Sequence, residues 1–364
     1  MKVRVEELEE GSILENDIMG MTSNPIIPRN TVISSLHIEV LKSFLIHEVG
    51  VEKTKANGEP LRLNLTLDNS KEKNTVERTL EKDPFITLYL SGVQQLKQEF
   101  QNWQSGIRVD ITTIRNIILP LLKVFEENPI HIYKIHLYST KEEYIYHHFL
   151  SVGLISAMVA KKLGYEGGNI NQIALAGSLA NCGMAKVRPS IITKQTALTE
   201  EEFNEIKQHT ALSYKMVKDI PLLKPDMKLA IFQHHERIDG TGYPSGESSD
   251  RIHINSQIIA IADMYHAMVS ERLYRSMQTP FIVLEKIKED YFGKLDIKVV
   301  DALLELVANL SPRAIVKVSN GETGEVIFTN SDTLTRPLLK VVKTNKILDL
   351  KKRRDLHIKE VISI

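Results

Sequence analysis

Four histidines and one aspartate in the middle of the chain are the residues whose types could bind a metal ion. They are His148, His209, His234, His235 and Asp263. Imidazole is the commonest metal ligand in proteins, yet a single histidine on an apolar helix face is more often a hydrogen-bonded core residue. Together, several imidazoles and one carboxylate suit a borderline transition metal better than Ca²⁺ or Mg²⁺. The set therefore predicts a site for iron, manganese or zinc.

The adjacent pair His234 and His235 gives the strongest local signal. Neighbouring residues on a helix point about 100° apart, so two imidazoles can share one site only near a helix end. The following segment, Asp239-Gly240-Thr241-Gly242-Tyr243-Pro244, breaks the helix, and its glycines let the backbone approach a ligand closely. The sequence predicts that a helix ends near His235, although a simple turn would also explain this composition.

The other three candidates lie in segments with helical periodicity. His148 falls on an apolar stripe, and His209 follows a capping box of Thr199 and Glu202 within what we expect to be one helix. Asp263 stands in the apolar run from residue 257 to 264, where an ionised carboxylate is costly unless it is paired or binds a metal. An ion pair of Asp263 with Arg272 or Arg275 is the alternative to metal binding.

Three segments resemble the signatures of HD-GYP domains, a branch of the HD superfamily. Residues 233–244 look like the HHExxDGxGYP motif, residues 262–275 like ADxYDAxxSxRxYR, and residues 198–209 like LTxEE…KxH. The resemblance extends from about residue 131 to residue 310. It implies a helical bundle around two or three metal ions, commonly iron or manganese, that hydrolyses cyclic di-GMP or, in some members, cyclic GMP-AMP. It also implies that all five candidates occupy ligand positions.

The sequence departs from this family pattern at the residues that name it. The HDxGK stretch appears as Ala180-Asn181-Cys182-Gly183-Met184, so a histidine ligand, the metal-bridging aspartate and a phosphate-facing lysine are replaced. His266 replaces the second aspartate of ADxYD, and Tyr144 stands where some members carry a glutamate for a third metal. A neutral amide cannot bridge two cations. We therefore expect one ion per chain, held mainly by His209, His234 and His235.

Two neighbouring histidines could compensate for the lost ligands. His266 lies three residues after Asp263, on the same helix face, and could serve as a substitute ligand. His147 is a weaker candidate, because it points about 100° away from His148.

These departures favour a degenerate HD-GYP protein that acts as a signalling module with weak or no hydrolysis. Its ligand would be a cyclic dinucleotide or a partner protein, and a homodimer is a further option. The residues expected to bind the ligand are Gly242, Tyr243, Pro244, Arg272 and Arg275, with the arginines suited to bidentate phosphate contacts. The alternative is an active cyclic di-GMP phosphodiesterase with a single or rebuilt metal centre. A scaffold without metal is a third interpretation, which the retained ligand-type residues disfavour.

The wider sequence predicts a mainly α fold flanked by smaller β-rich parts, and the resemblance implies that its helices form an HD-superfamily bundle. We expect a small α/β domain over residues 1–67, a linker and helical connector over 68–130, the HD-GYP domain over 131–310, and a β-rich extension over 311–364. The last assignment depends on two apolar runs, 314–318 and 325–328, which a Gly turn at residue 321 separates.

Composition and charge indicate a cytoplasmic protein. Lysine plus arginine equals aspartate plus glutamate at 46 each, which argues against binding to bulk nucleic acid. The single cysteine, Cys182, excludes an intrachain disulfide and fits a reducing compartment. We expect neither a signal peptide nor a transmembrane segment.

Overall fold

The computed structural model describes residues 2–5, 8–19, 25–34, 37–38, 41, 46, 48–52, 55, 84–271 and 277–364. The chain divides into two compact units, Met1–Leu80 and Glu81–Ile364. The linker expected to begin at residue 68 lies outside the described residues up to residue 83. The domain boundaries at residues 67, 130 and 310 stay a prediction.

The described part of the first unit is built from short antiparallel strands. Strand β1 (Lys2–Arg4) pairs with β4 (Glu48–Gly50), and β2 (Ile18–Met19) pairs with β3 (Pro25–Ile27). Their alternating apolar side chains form a small core of their own. It includes Val3, Val5, Leu14, Ile27, Val49 and Val51.

The second unit begins with two helices, α1 (Pro84–Gln104) and α2 (Ile111–Glu127). Asp110 caps α2, because its carboxylate accepts a hydrogen bond of 2.9 Å from the backbone N–H of Thr112. The apolar faces of both helices are buried in the same hydrophobic core as the helices that follow.

Helices α3 (Tyr144–Lys162) and α4 (Gly168–Leu179) cross very closely. A Cβ atom on Gly153 would lie 2.1 Å from the Oγ atom of Ser178, so only glycine fits at this crossing. The crossing fixes α3, whose first turns carry His148, against α4, which ends just before Asn181.

The remaining helices complete the bundle. They are α5 (Pro189–Ile192), α6 (Glu200–Lys207), α7 (His209–Val217), α8 (Pro225–Gln233), α9 (Ile254–Val269), α10 (Pro280–Asp290) and α11 (Ile297–Ala308). Helix α9 is buried along almost its whole length, so Asp263 is only 8% exposed. Within the described ranges, no helix combines the length and the apolar character that a membrane span requires.

The chain ends in a five-stranded antiparallel sheet with the order β8-β7-β6-β5-β9. Its strands are β5 (Ile315–Val318), β6 (Thr323–Phe328), β7 (Leu338–Val341), β8 (Ile347–Asp349) and β9 (Ile358–Ser363). The buried face of the sheet, which includes Val316 and Leu339, joins the core of the helical bundle. The predicted mainly α fold with a β-rich C-terminal part is confirmed.

Candidate metal centre

The first histidine of the site, His209, begins helix α7. Thr199 and Glu202 form the predicted capping box at the start of α6, with hydrogen bonds of 2.7 and 3.2 Å. Helix α6 ends at Lys207, and Gln208 separates it from α7. The prediction that His209 lies in the helix opened by Thr199 is therefore wrong. The turn at Gln208 redirects the chain, and His209 is 2% exposed.

The adjacent histidines His234 and His235 follow the last residue of helix α8, Gln233, as predicted. Because the helix ends here, the two imidazoles turn toward the same space, with their ring centroids 4.2 Å apart. One donor atom from each of His209, His234 and His235 lies within 4.8 Å of the other two. This spacing is suitable for three ligands of one metal ion, whose bonds to imidazole nitrogen are about 2 Å long.

Hydrogen bonds on the far side of two rings fix which nitrogen faces the site. The Nδ1–H groups of His209 and His234 donate to the backbone carbonyls of Ile206 and Ile231, each at 2.7 Å. The Nε2 atoms therefore carry the lone pairs, and they lie 3.4 Å apart. Metal-binding histidines commonly have this type of supporting hydrogen bond.

Burial keeps these imidazoles neutral. It lowers the pKa of His209 to about 3, lowers that of His234, and holds the pKa of His235 well below its usual range. A neutral imidazole is the form that binds a metal. The lone pairs on the Nε2 atoms of His209 and His234 repel each other at this distance unless a cation lies between them. The three histidines therefore fit a metal ion.

Asp263 lies beside the triad with two hydrogen-bond partners on one oxygen. Its Oδ1 atom accepts from Nε2 of His148 at 2.8 Å and from the Nδ2 amide of Asn181 at 2.9 Å. Burial alone would raise the pKa of Asp263, but His148, which also donates a hydrogen bond to it, holds the pKa well below its usual range. The described partners of this buried carboxylate are thus an imidazole and an amide. Arg272 and Arg275 lie outside the described residues.

His266 is close to His148 rather than to the three-histidine cluster. The Nδ1 atoms of His148 and His266 are 3.0 Å apart, and Nε2 of His266 is 3.2 Å from Oγ of Ser270. The hydroxyl of Tyr144 is 3.1 Å from Nδ1 of His148. His147 faces away from this group, as expected, with its Nδ1 atom 3.2 Å from the hydroxyl of Tyr89.

The loop that contains Gly242, Tyr243 and Pro244 folds back over the end of α8. A Cβ atom on Gly242 would lie 2.4 Å from the backbone nitrogen of Arg237, so the return path requires glycine. The Tyr243 ring stacks on His235, with centroids 4.7 Å apart and the planes inclined by 18°. The loop thereby places an aromatic ring against a candidate metal ligand.

Glu236 anchors this loop, a role that the sequence did not reveal. Its carboxylate is 2% exposed and accepts hydrogen bonds from the backbone N–H groups of Ser245 at 2.7 Å and Glu247 at 3.1 Å. The position of Glu236 directly after the histidine pair could have indicated this role, because a carboxylate buried at a helix end needs several hydrogen-bond donors.

A cavity of about 300 Å³ opens onto the site. Four of the five candidate ligands line it, His148, His209, His235 and Asp263, while His234 is fully buried. Tyr243 and Asn181 also line it. The cavity also has an apolar wall, which the sequence did not predict. It is formed by Tyr144, Ile145, Met184, Ile191, Ile192, Leu198, Phe203 and Ile206.

Comparisons with known proteins agree with this description. Residues 126–296 match the HD domain family. A cyclic di-GMP phosphodiesterase of Pseudomonas aeruginosa is 29% identical over 202 residues, which is 56% of this chain and 49% of that protein. One from Thermotoga maritima is 35% identical over 162 residues, or 44% of each chain. The chain thus spans about half the length of these curated relatives.

Among solved structures, an HDG"Y"P protein from Bdellovibrio bacteriovorus superposes with a TM-score of 0.49 at 15% identity. The match covers 83% of this chain and 97% of that one. The stretch of residues 126–296 is an HD domain. The loop of Gly242, Tyr243 and Pro244 and the phosphodiesterase relatives make this stretch similar to HD domains of the HD-GYP type.

Proposed function

We propose that this protein is a metal-dependent phosphodiesterase for cyclic dinucleotides, with one metal ion bound by His209, His234 and His235. The main supporting observation is the pair of buried Nε2 atoms, 3.4 Å apart, whose rings are each fixed by a carbonyl on the other side. The two curated relatives described above are cyclic di-GMP phosphodiesterases by name. Both observations favour the hydrolytic alternative over the non-hydrolytic signalling module that the sequence suggested first.

His209, His234 and His235 would hold the ion with three protein ligands, which is fewer than a closed four-ligand structural site has. A bound ion supplies Lewis-acid chemistry and lowers the pKa of a bound water molecule. Imidazole donors suit iron or zinc, and the nearby carboxylate of Asp263 would also suit manganese. Tyr243 limits the orientation of His235 by stacking on its ring.

The rest of the cavity would hold the nucleotide. Its apolar wall, which includes Phe203 and Leu198, offers a surface for a purine base. The ionised Asp263 is held in place by His148 and Asn181, so it stays fixed close to the open face. A polar end and an apolar wall together match a ligand with both phosphate and base.

A second candidate function is a cyclic-dinucleotide or partner-protein binding module with weak or no hydrolysis. The observation that favours it is Asn181, which donates its amide to Asp263 where the family pattern has a metal-bridging aspartate. With Ala180 in the neighbouring ligand position, two ligands of a dinuclear centre are absent. Such a protein would still bind its ligand in the cavity but would not hydrolyse it.

A hydrolysis assay with cyclic di-GMP separates the two candidates. Protein supplied with manganese, iron or zinc should release the linear dinucleotide, and His235→Ala should abolish this activity together with metal binding. His357→Ala, a change in the C-terminal part of the chain far from the cavity residues in sequence, is the matched control and should retain both. Stable binding of cyclic di-GMP without any turnover would favour the binding module instead.

A further inference from the structure

The cavity carries little positive charge for a ligand with two phosphates. Among the described residues that line it, Lys141 is the only lysine or arginine, beside the carboxylates Glu142 and Asp263. Met184, which stands where the family pattern has a phosphate-facing lysine, lies in the same wall. Among the described lining residues, Lys141 is therefore the side chain whose positive charge an anionic ligand could contact.

Lys141 lies just before helix α3, at the side of the cavity near Tyr144 and His148. Its Nζ atom is 2.9 Å from Oε1 of Glu271, and the two side chains are 45% and 43% exposed. An ion pair that is this exposed contributes little free energy, because water screens both charges. The ammonium group can therefore exchange Glu271 for another anion at small cost.

Two other cations among the described residues, Lys207 and Arg237, make different contacts. Nζ of Lys207 lies over the rings of Phe203 at 4.7 Å and Tyr243 at 5.9 Å. The guanidinium of Arg237 donates to the backbone carbonyls of His234 and Glu236. Neither residue lines the cavity, as far as the described residues define it.

We propose that Lys141 binds a phosphodiester group of the cyclic dinucleotide and replaces the lysine missing at position 184. Glu271 holds the ammonium group while the cavity is empty and releases it when the phosphate enters. Lysine is a common phosphate ligand that acts as a point charge. This assignment rests on the proposed function, because it takes the ligand to be a cyclic dinucleotide.

The test is the affinity of the manganese-loaded protein for a fluorescent cyclic di-GMP analogue, with bound manganese measured in each variant. Lys141→Met should weaken binding roughly 10-fold or more, since a hydrogen bond to a charged group is lost, and should leave the manganese content unchanged. Lys141→Arg should restore most of the affinity. Lys97→Met is the matched control, because Lys97 forms a similar exposed ion pair, with Glu143 at 2.7 Å, but does not line the cavity.

A double-mutant cycle tests the role of Glu271. Glu271→Gln should tighten binding about 2-fold to 5-fold, because it removes a weak competitor for the ammonium group. The same change should have no effect in the Lys141→Met background. Equal affinity of Lys141→Met and wild type, or a loss in Lys97→Met as large as that in Lys141→Met, would overturn the assignment while leaving the proposed function intact. No binding by the manganese-loaded wild type would overturn both.

Discussion

At the scale of single residues, the proposal of a single metal ion depends most on the contact between Asn181 and Asp263. The amide of Asn181 donates to a buried carboxylate oxygen at 2.9 Å, which stabilises an ionised Asp263 without a second cation. A carboxylate at position 181 would instead bring two like charges together, and one of them would have to be protonated or bind a metal.

Asn181→Asp should therefore destabilise the metal-free protein and stabilise the metal-loaded one. The lost hydrogen bond to a charged group contributes roughly 1.5–3 kcal/mol, so we expect a lower melting temperature in the presence of a chelator. Added manganese should reverse the change. Asn181→Ala is the control, because it removes the donor without adding a charge and should gain nothing from manganese beyond the wild-type response.

Restoring both missing ligands extends this prediction. Ala180→His combined with Asn181→Asp should raise the bound metal toward two ions per chain, measured by elemental analysis of folded protein. Ala180 is fully buried, so an imidazole there could overpack the core by about 1–3 kcal/mol. If the folded double variant holds no more metal than wild type, the residues around Asp263 are not the remnant of a second metal site.

A residue outside the site, His136, should make stability depend on pH. Burial lowers its pKa to about 4, whereas an unfolded histidine titrates near 6.5. The unfolded chain therefore takes up the proton first as the pH falls, and the free energy of unfolding decreases between about pH 6.5 and pH 4. At pH 5 the loss from this residue is on the order of 2 kcal/mol.

Urea unfolding of wild type and His136→Leu at pH 7 and pH 5 measures this contribution. The variant should show the smaller drop in stability between the two pH values. His357→Leu is the control, since His357 is only partly buried and its protonation therefore costs less desolvation, so its effect should be smaller. An identical pH dependence for His136→Leu and wild type would show that His136 does not hold a depressed pKa.

At the scale of elements, helix ends position the site. Helix α8 ends at Gln233 so that two successive imidazoles face one space, and the GYP loop then returns over them. The return path passes so close to the helix that Gly242 has no room for a side chain. The positions of His234 and His235 thus depend on the close approach of the Gly242 backbone to the end of α8.

Gly242→Ala should disrupt this element. The added methyl group would meet backbone atoms at 2.4–2.5 Å, which forces the loop outward and costs about 1–3 kcal/mol. We expect a lower melting temperature, weaker metal retention and reduced hydrolysis. Gly168→Ala, at a position with open space, is the matched control and should change none of the three measurements.

Much of this element-level arrangement could be predicted from sequence. The pair His234–His235 before a Gly-rich turn required a helix end, and the capping box at Thr199 marked the start of α6. The break at Gln208 could not be predicted, because neither glycine nor proline interrupts the helical pattern there. The hydrogen bond from Asn181 to Asp263 was also not predicted, because the two residues are 82 positions apart in the chain.

At the scale of the whole molecule, each of the two compact units has its own hydrophobic core. The C-terminal sheet shares the core of the helical bundle, so it belongs to the unit that carries the site. Sequence patterns predicted strands at the positions of β5 and β6. They did not predict that the sheet shares a core with the helices, because contacts between segments far apart in the chain leave no local period.

A fragment of residues 81–364 should therefore fold without the first unit. We expect its far-ultraviolet circular dichroism to show a cooperative thermal transition, and its metal content per chain to equal that of the full chain. A shorter fragment, 81–310, is the informative control. It should lose the cooperative transition, because removal of the sheet exposes the apolar side chains of the helical bundle that pack against it.

The most direct test of the three-histidine centre is a titration of metal-free protein with Mn²⁺ while cyclic di-GMP hydrolysis is followed. With one ion held by His209, His234 and His235, activity should rise linearly and level off at one equivalent per chain. A plateau at two equivalents would contradict the single-ion centre. Tight binding of the first equivalent without any hydrolysis would contradict the proposed activity.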